Sequence, residues 1–187
     1  NPIPNATLEC DVVGANFGIA VSNAGDINAD GFDDVIVGAN LSVKAYVYLG
    51  SSDGIDTVET AMLSNFQGNS QFGFSVSDAG DVNADGFDDV IIGAYKFDGE
   101  GLNSDGGIAY LYHGNALGLI TSPATILEEG FYSTYFGYST SGAGDVNNDG
   151  FDDVIVGEYQ ADFLEFDAGS VFIYLGSASG VNTTFST

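Results

Sequence analysis

Positive charge is almost missing from this chain. Lys44 and Lys96 stand against 27 aspartates and glutamates, a formal charge of −25. Nothing here can neutralise a phosphate backbone, which excludes nucleic acid as a partner. Anionic membrane surfaces are disfavoured for the same reason. So much like charge in a folded domain repels itself unless cations sit among the carboxylates, so bound metal or high ambient salt is implied. Cysteine is as scarce: Cys10 stands alone, so no internal disulfide can form, and it reads as an unpaired thiol. No run approaches the roughly 20 apolar residues that span a bilayer. No leader peptide is recognisable, and the chain opens at Asn1 rather than Met, so a leader or flanking domain can lie outside it.

What is present points to a fold. Hydrophobic residues make up 44% and aromatics 13% of 187 residues, too many for a disordered acidic tail and enough to bury one core. Glycines number 27 against 3 prolines, which suits many short strands joined by tight turns. Three N-x-S/T sequons, at Asn5, Asn40 and Asn182, fit secretion.

The chain repeats itself three times. Ala24-Gly-Asp-Ile-Asn-Ala-Asp-Gly-Phe-Asp-Asp-Val-Ile-Val-Gly38 aligns without gaps with the segments from Ala79 to Gly93 and from Ala143 to Gly157. A Phe-Gly pair precedes each at the same distance, at Phe17, Phe72 and Phe136, and an apolar-aromatic run ending in Gly50, Gly114 or Gly176 follows each. Each unit reads as four short strands. Strand A runs from Phe-Gly through small residues such as Ser75, Val76 and Ser77, and strand B is the Asp-Val-Ile run. Strand C carries Tyr46 and Tyr48, Tyr110 and Tyr112, or Phe172 and Tyr174. Strand D is marked by Ala6-Thr7-Leu8, Ala61-Met62-Leu63 and Thr125-Ile126-Leu127. Strands B and C are apolar at both parities, so both faces of the sheet must be covered. A four-stranded antiparallel sheet sandwiched between copies of itself is a β-propeller blade, which makes the chain all-β.

The loop between strands A and B carries the chemistry. Asp26-x-Asn28-x-Asp30-Gly31-Phe32-Asp33-Asp34 spaces oxygen donors at positions 1, 3, 5 and 9, glycine at position 6 permits a sharp turn, and the position-7 carbonyl, that of Phe32, can add a ligand. The second loop offers Asp81, Asn83, Asp85, Asp89 and the Phe87 carbonyl, and the third Asp145, Asn147, Asp149, Asp153 and the Phe151 carbonyl. All-oxygen donors with several carboxylates suit Ca²⁺, whereas zinc wants His or Cys. The competing reading of one such loop is a plain Asx-turn, and three copies in phase argue against it. Asp33, Asp88 and Asp152, at position 8, read as groups at the strand end or behind the donors and not as direct ligands. His113 stands where Leu49 and Leu175 stand in the other copies, so it reads as a tolerated substitution and not a catalytic base. No activated nucleophile is recognisable, and no enzymatic activity is expected.

Phe-Gly, an Asp-rich loop and then Gly38-Ala39, Gly93-Ala94 or Gly157-Glu158 resembles the FG-GAP repeat of the N-terminal β-propeller of integrin α-subunits. The final Pro of the motif is Asn40, Tyr95 or Tyr159 here, and integrin propellers have seven blades where this chain has three. The resemblance implies three Ca²⁺ sites built from the donors named above and an extracellular or cell-surface adhesion module that binds protein or glycan. The alternative is the accessory propeller of a secreted hydrolase.

The chain is read as a single domain, 1–187, in which residues 1–10 supply strand D of a neighbouring blade. Residues 11–65, 66–129 and 130–187 form blades one, two and three, with boundaries good to a few residues. The rim opposite the acidic loops varies in length between copies, which is where recognition usually sits, and Phe97, Phe163 and Phe166 are its candidate ligand anchors. Three blades are too few for a ring. The chain is therefore expected either to pair as a homodimer of six blades by exchanging its N-terminal strand, or to be part of a longer propeller.

Overall fold

The computed structural model describes residues 3–65, 67–98, 105–129, 134–160 and 168–183. Blade one is built from β1 (Val21–Gly25), β2 (Asp34–Ala39), β3 (Lys44–Tyr48) and β6 (Ala61–Ser64), hydrogen-bonded in that order. Between β3 and β6 lies a two-residue hairpin, β4 (Gly50–Ser51) with β5 (Gly54–Ile55). Blade two repeats this with β7 (Ser75–Gly80), β8 (Asp89–Ala94), β9 (Ile108–Tyr112) and β12 (Thr125–Leu127), and the hairpin β10 (Gly114–Asn115) with β11 (Gly118–Leu119). Blade three has β13 (Phe136–Gly144), β14 (Asp153–Glu158) and β15 (Ser170–Tyr174). Every pairing within a blade is antiparallel. The only helical turn among the described residues is a 3-10 turn at Asn40–Ser42, where Asn40 replaces the motif's proline.

The sheets stack face to face because strands B and C are apolar on both sides. Ile36, Ala45 and Val47 of blade one pack with Val90, Ile92, Tyr110 and Tyr112 of blade two in one core cluster. Ile91, Ala109 and Leu111 of blade two pack with Phe136, Val154, Val156 and Tyr174 of blade three in the next. Each Phe-Gly phenylalanine sits edge-on against its own blade's strand C aromatics: Phe72 lies 5.3 Å from Tyr110 and 6.5 Å from Tyr112, centroid to centroid, and Phe17 and Phe136 repeat the arrangement. The A strands of successive blades lie side by side, and their small residues, Ser22, Ser77 and Ser141 among them, line an axial cleft of about 400 Å³. The crowding expected at the axis is what selects serine and glycine there.

The fit between blades is closest at one glycine. A Cβ on Gly38 of β2 would overlap the Gly73 carbonyl of the next blade's Phe-Gly pair, and a Cβ on Gly93 of β8 would overlap that of Gly137. The first glycine of Gly-Ala is therefore the socket into which the following Phe-Gly seats.

Three features depart from the sequence reading or go beyond it. Residues 6–8, expected as strand D of a neighbouring blade, have no ladder partner among the described residues, and Leu8 and Cys10 pack against Val37, Tyr46 and Tyr48 on the outer face of blade one. Asn40 is buried, its side-chain amide accepting from Asn16 and donating to Gln71, so a sequon that fitted glycosylation is closed to it. Glu158 takes the place of Ala39 and Ala94 and is buried, and among the described residues neither carboxylate oxygen makes a hydrogen bond of ordinary geometry, the Thr134 hydroxyl lying beside it. Burial raises its pKa above the usual glutamate value; the Thr134 hydroxyl opposes the rise and the nearby Glu129 carboxylate adds to it.

Two stability measurements follow. Gly93→Ala, which forces Cβ into backbone, is expected to cost about 1–3 kcal/mol in urea denaturation. For Glu158 the folded-state pKa is raised, so the folded chain keeps a proton that the unfolded chain has released, and stability falls as pH rises from about 4.5 until the raised pKa is passed. Glu158→Ala should therefore gain roughly 1 kcal/mol over the wild type at pH 7 and less at pH 4; a gain that is equal at both pH values contradicts this account of the carboxylate.

Candidate metal centre and partner rim

The three acidic loops close on themselves in the same way. The bulge where β1 meets the loop, between Asn23 and Gly25, recurs between Asp78 and Gly80 and between Gly142 and Gly144, and turns the chain out of the sheet at the same point each time. Asp26 then accepts the N–H groups of Asp30 (3.0 Å) and Gly31 (2.8 Å), Asn28 accepts Asp30 N–H through Oδ1 and donates to Asp30 Oδ2, and Asp30 Oδ1 accepts Phe32 N–H. The same bonds join Asp81, Asn83, Asp85, Gly86 and Phe87. They recur among Asp145, Asn147, Asp149, Gly150 and Phe151. Position 4 is left-handed in every copy, with φ near 55–59° at Ala29, Ala84 and Asn148.

Position 9 is the buried member. Asp34 takes Ile27 N–H at 3.0 Å on one oxygen and Gly50 N–H at 2.8 Å on the other, so a single carboxylate ties the loop to the end of strand C. Asp89 does the same for Val82 and Gly114, and Asp153 for Val146 and Gly176. Burial pushes Asp34 up to about 6 and Asp89 up to about 7; the two N–H bonds oppose the rise, and the position-5 and position-1 carboxylates add to it. Asp145, exposed, is held below its ordinary value, chiefly by the Gly150 N–H.

The structure thus brings the predicted donors of each loop into one turn, with positions 1, 3 and 5 toward solvent or half-buried and position 9 beneath them. Among the described residues, no three or more His, Cys, Asp or Glu side chains converge as a preformed cluster, because the carboxylates face their loop's own N–H groups. An oxygen that accepts one such bond keeps a lone pair, and a carboxylate has about four acceptor directions in all. All-oxygen donors, several of them anionic, fit a hard divalent cation of the calcium kind. Neither lysine balances the loops: Lys96 pairs with Asp105 at 3.8 Å on the other rim, and Lys44 opens β3 at the far end from its loop.

Position 8 does something the sequence did not disclose. Asp88 Oδ2 accepts the N–H of Asp26 at 2.8 Å, and Asp152 Oδ2 that of Asp81 at 3.0 Å. Each carboxylate therefore clasps the first position of the preceding blade's loop, behind that loop's candidate donors, and not the end of its own strand. His113, the tolerated substitution, lies with Nδ1 3.2 Å from Asn83 Nδ2, its Nε2 buried and without a partner; burial lowers its pKa, which keeps the ring neutral.

On the opposite rim, Phe97 is half-buried against the core between blades one and two. Phe163 and Phe166 lie outside the described residues. What the rim presents among the described residues is a connected set of five rings. Tyr135 stacks on Tyr159 at 5.2 Å, Tyr138 touches Tyr159 and Tyr95, and Phe74 touches Tyr95 and Tyr138. Tyr138 and Tyr159 are 39% and 48% exposed. The signal in the sequence was the aromatic after Phe-Gly and the tyrosine in place of the motif's proline. No helix among the described residues is long and apolar enough to cross a membrane.

Comparison with known proteins agrees with the geometry. Integrin alpha-7 of Rattus norvegicus is 35% identical over 164 residues, 83% of this chain and 14% of that protein. Integrin alpha-6 of Gallus gallus is 32% identical over 159 residues, 80% and 14%, and integrin alpha-5 of Xenopus laevis 30% over 182 residues, 89% and 17%. This chain thus spans less than a fifth of the length of those relatives. The FG-GAP repeat matches at residues 17–52, 72–112 and 136–174, each match opening on the Phe-Gly phenylalanine and running to the end of strand C or just past it. With its sockets, acidic loops and blade sheets all in phase with those matches, the chain belongs to the FG-GAP repeat family.

Proposed function

We propose that this chain is a calcium-stabilised, non-enzymatic binding module of the extracellular or cell-surface kind, holding one Ca²⁺ in each acidic loop and receiving a protein or glycan partner on the opposite rim. The observation that carries the reading is the threefold repetition of one donor set, down to the same hydrogen bonds, in a chain with 27 acidic and 2 basic side chains. A carboxylate pushed toward neutral pKa by burial and by its neighbours is a place where a cation relieves repulsion. The relatives are named as integrin α-subunits, which favours adhesion as the role. The exposed tyrosines of the rim add large, amphipathic contact area of the sort that dominates partner binding. Phe97 belongs to a loop of that same rim.

Calcium removal is the first test. With sites of about 10⁻⁴ M affinity and calcium a hundredfold above that, each site stabilises by about 2.7 kcal/mol. Three sites together would shift the melting temperature of a chain of this size by roughly 15–30 °C. Excess EDTA should remove that stability, Asp85→Ala should remove about a third of it, and sodium chloride at matched ionic strength should not restore it. A melting curve that EDTA leaves unchanged contradicts the proposal.

The rim is tested with calcium-loaded protein on beads against immobilised matrix glycoproteins. Replacing Tyr138 and Tyr159 together with alanine should weaken retention at least tenfold, about 1.4 kcal/mol, while calcium binding and the circular dichroism of the fold stay as in the wild type. Retention equal to the wild type would place the partner elsewhere.

A further inference from the structure

We propose, on the reading that each acidic loop holds a calcium ion, that the loops fill cooperatively, and that Asp88 and Asp152 are the positioning residues that carry the coupling from one loop to the next.

Each of these aspartates serves two loops at once. Asp88 is position 8 of the second loop, so it stands between two of that loop's candidate donors, the Phe87 carbonyl and the Asp89 carboxylate. Its own groups are engaged on the first loop. Oδ2 accepts the Asp26 N–H at 2.8 Å, and the Asp88 N–H donates to the Asp26 carbonyl at 3.3 Å. Asp26 is thereby held on both sides of its Cα, while its carboxylate, the first donor of loop one, accepts the N–H groups of Asp30 and Gly31. Asp152 stands between Phe151 and Asp153 and holds Asp81 in the same two ways, at 3.0 and 3.2 Å. The glycine before each held aspartate makes the space: a Cβ on Gly25 would overlap the Asp88 carboxylate, and one on Gly80 that of Asp152.

A second tie runs beside the first. Asp89 accepts the Gly114 N–H, and the next N–H, that of Asn115, donates to the Ile27 carbonyl at 3.0 Å. The Ile27 N–H in turn donates to Asp34. Three hydrogen bonds thus join the buried position-9 carboxylates of loops two and one. Ser177 N–H on the Val82 carbonyl, at 3.1 Å, joins Asp153 to Asp89 in the same manner.

The coupling follows from these ties. Carboxylates at positions 1 and 5 repel one another, and a cation bound among them holds the loop in one arrangement. Fixing loop two fixes the peptide groups on either side of Asp88, and with them the carboxylate that places Asp26 for loop one. Ordering achieved by the first cation need not be repeated by the second, so the second binds more tightly, and the effect is reciprocal. Charge alone acts the other way, because a first cation weakens the negative potential that draws the next. Salt screens that repulsion and leaves the ordering in place.

The test follows each loop separately, by amide NMR of the isotope-labelled 187-residue chain titrated with calcium in about 0.15 M sodium chloride. The amides of Gly31, Gly86 and Gly150, each bonded to position 1 of its own loop, report the three sites one by one. Asp30→Ala, which disables loop one, should raise the calcium midpoint read at Gly86 about tenfold, within the usual range of coupling between sites. In an Asp88→Ala background the backbone tie remains, and disabling loop one should raise that midpoint about threefold at most. In an Asp88→Asn background, whose amide oxygen still accepts the Asp26 N–H, the full effect should return. A variant that merely weakened the fold would shift all three glycines together. Loops that saturate while Gly86 ignores Asp30→Ala, or tightens, overturn the coupling and leave the calcium reading standing. A dependence that survives Asp88→Ala in full overturns the role of Asp88. No saturable shift at any of the three glycines overturns the calcium reading itself, and the coupling with it.

Discussion

One buried carboxylate per blade holds the rest in place. Asp34, Asp89 and Asp153 each accept an N–H from position 2 of the acidic loop and another from the glycine that ends strand C. Burying a charge is costly unless it is hydrogen-bonded, and two charge-assisted bonds offset much of that cost. What the bonds achieve is positional. They fix the loop against the sheet, so that the N–H of position 1 and the carbonyl of position 2 face the next blade and positions 1, 3 and 5 face solvent.

From that constraint the stacking follows. Position-8 carboxylates clasp the preceding loop, Phe-Gly pairs seat on socket glycines, and the apolar faces of strands B and C meet between. The acidic loops and the blade junctions are therefore one structure. A cation bound at positions 1, 3 and 5 would stiffen the same peptide groups that the next blade holds, which couples metal occupancy to the packing of the array. The opposite rim carries no such duty and is free to vary, and there the chain places its exposed tyrosines.

Much of this was legible in the sequence because it is local or periodic. Phe-Gly, the acidic loop and the alternating aromatics of strand C recur at fixed spacing, and spacing alone yields strand order, loop position and donor set. The rest depends on partners far along the chain. The clasp of Asp88 on Asp26 spans 62 residues and that of Asp152 on Asp81 spans 71, so a position read as a strand-end group or one behind the donors is also an inter-blade tie. Asn40 heads a sequon that fitted secretion, yet it sits buried between Asn16 and Gln71. Glu158 stands where the motif has alanine, and only the fold shows that its carboxylate is buried. The five-ring cluster draws on residues from two blades, which no single repeat displays.

Calcium stoichiometry by equilibrium dialysis in about 0.15 M sodium chloride tests the central claim most directly, because that salt screens diffuse attraction to the net charge while leaving site binding in place. The account predicts three saturable calcium ions per chain, and two after Asp85→Ala. Binding that fails to saturate, or that disappears in the salt, would contradict it.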